Sequence, residues 1–186
     1  MTYPVCWMPR GLHATPVELR RQLQEAIDRY TDEYDTILLG YCLCGGSLEG
    51  IQARRSRLAA MNCYDCVNML MKDEGVDRHS LYFTAGWIRS DDFIGKEYDR
   101  VLERRGPEKT KRVYRRILQG YDRMLMMDTG AYDLRSWEAE ARAAAEKLEL
   151  RYEEGPASLE ALQKLLTHHW DENILVVEPG GLVKSQ

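Results

Sequence analysis

No stretch of this 186-residue sequence reaches the roughly 18–20 apolar residues that span a bilayer, so no membrane helix is expected. The opening Met1-Thr2-Tyr3-Pro4-Val5-Cys6-Trp7 lacks the basic and apolar blocks of a signal peptide, and the expected location is cytoplasmic. Basic residues are not in surplus. Lys and Arg number 26 against 30 Asp and Glu, a net charge of −4, which speaks against nucleic-acid binding because phosphates need a positive surface. The Lys-Ser/Thr ending of a P-loop is missing, as are GxGxxG, GxSxG and HExxH. ATP hydrolysis, hydride transfer and serine-hydrolase chemistry therefore lose their usual supports. Internal repeats, low-complexity tracts and linkers are absent too.

What is present reads as one globular domain over residues 1–186, with 44% hydrophobic and 30% charged residues. Short apolar runs at 5–8, 36–39, 57–61, 81–84, 123–127 and 174–177 predict strands. Between them lie helical periods. Thr15 as N-cap, Pro16 at the first position and Glu18 reaching back form a capping box. Leu19, Leu23, Ala26, Ile27 and Tyr30 then share one helix face. Further helices are expected over 65–72, 91–104 and 108–118, on the face of Trp137, Ala141, Ala144, Ala145 and Leu148, and from Ser158 to 166. The charged run 100–116 fits a solvated helical pair. Strands alternating with helices predict an α/β fold: a three-layer domain with one mainly parallel sheet of about five to six strands and helices on both faces.

In such sheets ligands bind beyond the carboxyl ends of the strands. Gly11-Leu12-His13 and the segments 40–46, 62–66, 84–87, 128–130 and 178–181 are expected on that rim. Four of the five cysteines crowd between positions 42 and 66. In a cytosolic chain such crowding points to metal or redox chemistry before a disulfide scaffold. Cys42-x-Cys44 and Cys63-x-x-Cys66 could supply four thiolates to zinc or an iron–sulfur cluster, although one residue between the first pair is shorter than structural zinc sites use. Cys44 and Cys66 are each expected to begin a helix, where backbone N–H groups lower a thiol pKa. His13 could complete a metal shell. Cys6 is expected within the first strand, away from the site. Tyr41, Gly45, Tyr64, Trp87 and Asp128 could line a cofactor pocket. The plainer alternatives are buried hydrophobic cysteines, packing aromatics, and Asp65 as an N-cap. Gly45-Gly46-Ser47, if followed by a helix, could hold an anion. His168-His169 reads as a complement to a helix C-terminus, and His79 as a loop residue.

Several segments occur together in a fixed order: Gly11-Leu12-His13, Ile37-Leu38-Leu39-Gly40-Tyr41-x-Leu43-Cys44-Gly45, Asp65-Cys66, Tyr82-Phe83-Thr84-Ala85-Gly86-Trp87-Ile88, Asp128-Thr129-Gly130 and Leu175-Val176-Val177-x-Pro179-Gly180. In this the chain resembles the bacterial and archaeal domain-of-unknown-function family numbered 1638. The resemblance implies an α/β fold and a rim of Cys and His residues. Members are similar to proteins found beside corrinoid-dependent methyltransferases, which implies a setting in anaerobic one-carbon metabolism and a methyltransferase or corrinoid-protein partner. Two departures stand out. The family pattern opens with a further strand ending in Cys-Gly, ahead of where this sequence starts. It also carries His-Asp-Cys where this chain has Tyr64-Asp65-Cys66, while Cys42 and Cys63 fall where the pattern has no cysteine. A sheet edge left open by the first departure predicts a homodimer or a partner-bound form.

Three functional readings remain open at this point. One is a metal-binding accessory or enzyme of corrinoid and one-carbon metabolism, with Cys44 and Cys66 as core ligands and His13, Cys42 or Cys63 completing the shell. Another is a thiol-dependent or methyl-transfer enzyme using Cys66 or Cys44 without a permanent metal. The third is a partner-binding module with a degenerate site.

Overall fold

The computed structural model describes residues 3–9, 11–12, 15–71 and 76–184. In chain order its helices are α1 (Pro16–Tyr30), α2 (Cys66–Met71), α3 (Ala85–Arg89), α4 (Ile94–Arg105), α5 (Pro107–Ile117), α6 (Arg135–Lys147) and α7 (Glu160–Thr167). Its strands are β1 (Thr36–Leu39), β2 (Arg57–Met61), β3 (Ser80–Phe83), β4 (Arg123–Asp128), β5 (Arg151–Pro156) and β6 (Ile174–Val177). The chain divides into two compact units, Met1–Met69 with Leu159–Gln186, and Leu70–Ser158. Among the described residues no helix is long and apolar enough to cross a membrane.

The α/β class holds, but the single sheet of five to six strands does not. There are two three-stranded sheets, ordered β1-β2-β6 and β3-β4-β5. The second is wholly parallel, whereas β6 runs antiparallel to β2, with Leu58 opposite Val177 and Met61 opposite Ile174. An apolar run marks a strand without naming its neighbour or direction. Here β6 takes the free side of β2, and β3 builds a sheet of its own.

In the first unit β2 is central and buried on both faces. Leu58 and Ala60 face Leu19, Leu23 and Ile27 of α1, as the spacing along that helix requires. Ala59 and Met61 point the other way, into a cluster with Cys42, Leu165 and Ile174. This is the two-residue alternation of a strand applied to two cores at once. The β1–β2 connection contains no helix. Its turn-rich stretch instead buries Leu48, Ile51 and Ala53 completely against the α1 side. The expected helix starting at Cys44 is therefore absent, and Gly45-Gly46-Ser47 precedes no helix N-terminus. Two other local expectations also change. Residues 5–8 form no strand. The capping box does not close, because Glu18 pairs with Arg21 at 2.6 Å and Gln22 at 2.7 Å, and these contacts hold its carboxyl down to about 2. Thr15 contributes its backbone carbonyl, not its side chain, to the first turn.

The second unit packs α3, α4, α5 and α6 around Phe83, Ile88, Phe93, Tyr98, Tyr114, Met124 and Met126. Arg123 on β4 ties its sheet together, reaching Asp77, Ser80 at 2.5 Å and Glu153 at 2.9 Å. Gly95 lets α4 lie close to α6: a Cβ there would sit 2.9 Å from Ala144 Cβ and 3.0 Å from Phe93 Cε1. Gly95→Val is therefore expected to cost about 1–3 kcal/mol through overpacking. Urea unfolding followed by the tryptophan signal checks this, and an unchanged midpoint would contradict the close approach.

Candidate functional site

The cysteine loops are an extension of the β1–β2 pair. Thr36 lies opposite Arg57 and Leu39 opposite Ala60, an offset of 21 residues, and the same offset relates Cys42 to Cys63. Beyond the strand ends the two segments stay side by side. Met61 N–H donates to Tyr41 O at 3.1 Å, Leu43 N–H to Cys63 O at 3.0 Å, and Cys44 N–H to Tyr64 O at 2.9 Å. This pairing brings Cys42 Sγ within 2.9 Å of Cys63 Sγ, hydrogen-bonded and not disulfide-linked. Cys44 follows with φ of 40°, a left-handed conformation that an L side chain adopts at a cost of roughly 1–2 kcal/mol. The bonds that hold the turn include the Cys44 N–H bond, Ser47 N–H to Leu43 O at 2.9 Å, and Arg20 Nη2 of α1 to Gly46 O at 2.6 Å. Cys66 begins α2, with its thiol packed against the Cys42–Met61 cluster.

Within this group the thiols are driven apart in acidity. Cys42 is buried, and its side-chain interactions with the neighbouring Cys44 and Cys63, and then burial, push its pKa strongly up. Cys44 is half-buried, and the bond from Cys42 lowers its pKa to about 7 against the desolvation that opposes it. Cys63 also falls through its bond with Cys42. Cys66 rises to about 11, because burial and then the nearby Cys44 and Asp65 charges disfavour its thiolate. A helix start acidifies neither thiol, contrary to the expectation for both residues. Cys44 has no helix and is acidified by a thiol donor. Cys66 has a helix of only six residues, and burial outweighs it.

The structure brings Cys42, Cys44, Cys63 and Cys66 together, and places the others as follows. Tyr41 is half-buried, with its phenol pushed up by burial and by the charges of Cys44 and Cys6. Cys6 is exposed on a segment without secondary structure. Gly45 packs near Pro16, whose Cγ would lie 3.7 Å from a Cβ at that position. Tyr64 is 72% exposed. Asp65 accepts from the Asn68 backbone N–H at 2.9 Å, as an N-cap does. His13 lies outside the described residues. Among the described residues no group of three or more His, Cys, Asp or Glu side chains is placed to hold a metal ion.

Trp87 and Asp128 belong to the second unit. Trp87, in α3, is half-buried against that unit's core. Asp128 ends β4 and accepts from Gly130 N–H at 2.9 Å. It borders a cleft of about 640 Å³, lined also by Tyr132, Arg135, Glu138, Arg142 and Tyr152. Arg142 lies over the Tyr152 ring, 4.4 Å from its centroid, and pairs with Glu138 at 2.7 Å. Asp128 carried the only sequence signal for this cleft, since β5, which forms much of its wall, has no apolar run to announce it.

The family model described as "Protein of unknown function (DUF1638)" matches residues 7–166 of the chain. No curated protein and no solved structure matches it significantly.

Proposed function

The chain belongs to the DUF1638 family of proteins of unknown function, and we propose that it is a thiol-dependent protein whose working nucleophile is Cys44. One observation carries this reading. A half-buried cysteine, held in a strained turn, packs against a buried neighbouring thiol that lowers its pKa to about 7. The thiolate is the nucleophilic form of cysteine, and strain at a single residue is characteristic of sites that must hold a reacting atom in place. The natural reactant is a soft electrophile. In the one-carbon setting that the resemblance implies, that would be a methyl group presented by a corrinoid or methyltransferase partner, the thiolate displacing the carrier from carbon. Cys42 is the proton-bearing donor that positions and acidifies Cys44, and Cys66 is a packing residue.

Native alkylation with iodoacetamide at pH 8, mapped by peptide mass spectrometry, tests this. Cys44 is expected to label about ten-fold faster than Cys66, the larger thiolate fraction being offset in part by the lower nucleophilicity of a more acidic thiol. Equal rates at the two positions would overturn the reading. Slow labelling of all four, together with about one zinc, iron or cobalt per chain in anaerobically purified protein, would replace it with a thiolate metal site.

A further inference from the structure

We propose that Cys42 and Cys63 are a dithiol pair that closes to a disulfide on exposure to a hydroperoxide, and that closure switches off the thiol at Cys44. Two parallel loops carry the pair. Backbone bonds at Tyr41, Leu43 and Cys44 clamp them to the segment 61–64, so the pairing of Cys42 with Cys63 is set by strand register and not by side-chain choice. Their sulfurs are 2.9 Å apart, and an S–S bond near 2.05 Å needs an approach of only about 0.9 Å. The two residues also differ in the way such chemistry requires. Cys63 is half-buried and so open to the oxidant, and its contact with Cys42 shifts it toward the thiolate. Cys42, 2% exposed, is shielded from solution and touches Cys63, which suits it to resolve the oxidised intermediate.

The chemistry balances in two steps. The Cys63 thiolate attacks the distal oxygen of the hydroperoxide, the O–O bond breaks, and the alkoxide or hydroxide leaving group takes a proton. Cys63 is then a sulfenic acid, having lost two electrons to the peroxide. The Cys42 thiol attacks the sulfenic sulfur, its own proton leaves with the hydroxyl as water, and the disulfide forms. A dithiol reverses this through a mixed disulfide, becoming oxidised itself. The consequence for Cys44 follows from loss of a hydrogen. In the disulfide Cys42 has no S–H left to offer Cys44, which packs against it.

The readout rests on Cys44 being the acidified thiol, and the reduced protein tests that first, before any oxidant is added. Reduced full-length chain is treated with one equivalent of hydrogen peroxide, quenched with N-ethylmaleimide, and mapped by peptide mass spectrometry. A Cys42–Cys63 linked peptide is expected. Labelling of Cys44 with iodoacetamide at pH 7 should slow about three- to five-fold and recover with dithiothreitol. Cys63→Ser should form no such link, and the Cys44 that the peroxide leaves unoxidised should label as fast as in the reduced protein. A link between other cysteines, a stable sulfenic acid at Cys63, or Cys44 labelling indifferent to a formed 42–63 link would each overturn the switch. Slow Cys44 labelling in the reduced protein would instead overturn the Cys44 reading, leaving the linked peptide to decide the pair alone.

Discussion

Replacing Cys42 with alanine is expected to raise the pH midpoint for alkylation of Cys44 from about 7 to about 8.5, the value of an unperturbed thiol. The sign is fixed by which state the bond favours. The Cys42 S–H donates to a sulfur, and a thiolate accepts far better than a thiol, so losing the donor destabilises the anion and the pKa rises. At pH 6.5 the thiolate fraction of Cys44 should fall about twenty-fold, which makes this one of the largest effects a single substitution can have on the site. Cys42→Ser separates the cause from mere disturbance of the loop. A hydroxyl can still donate, so the serine variant should keep a midpoint below that of alanine. Rates measured between pH 5.5 and 9.5 give both midpoints. If alanine leaves the midpoint near 7, the thiol donor is not what acidifies Cys44. Cys44→Ser should lose the fast phase altogether.

A second large effect comes from the two-faced strand β2. Met61 and Leu58 are each about 1% exposed, and truncating either to alanine is expected to cost about 2–5 kcal/mol, from lost apolar burial plus the cavity left behind. They should differ in what else they change. Met61 packs on the face that holds Cys42 and Cys66, whereas Leu58 packs on the α1 face. Met61→Ala should therefore speed alkylation of Cys42 and Cys66 in the folded protein, while Leu58→Ala should leave the labelling pattern of the four cysteines unchanged. Chemical denaturation gives the stability loss, and peptide mapping under native conditions gives the pattern. Identical patterns in the two variants would mean that the faces of β2 are not insulated from each other.

Much of the first unit was legible because its elements announce themselves locally. Ile37-Leu38-Leu39 and Leu58–Met61 are apolar runs of strand length, and Leu19, Leu23 and Ile27 repeat with helical period. What was not legible is relational. Nothing in Ile174–Val177 tells β6 to run antiparallel to β2. Arg151–Pro156 reads Arg-Tyr-Glu-Glu-Gly-Pro and carries no apolar run, so β5 is a strand only because β4 offers it six paired positions. The cysteines show the same division. Their spacing suggested partners within each motif, 42 with 44 and 63 with 66, whereas strand register adds a pairing across the loops, 42 with 63. The acidity ranking was misread for the same reason. A helix start can be inferred from one segment, but a donor thiol from a neighbouring loop and the burial of Cys66 cannot.

The polar character that hid β5 from the sequence also governs how its sheet ends. Within its sheet β5 pairs with β4 alone, so it is a border strand. Arg151 engages Asp122 and Glu153, Glu153 also binds Arg123, and Pro156 closes the strand without an amide hydrogen to offer. A foreign strand seeking to extend the sheet there would have to strip water from these charges, break their pairings, and forgo a hydrogen bond at the final residue. That border thus works as a terminus, resisting growth of the sheet through β-strand addition on its β5 side.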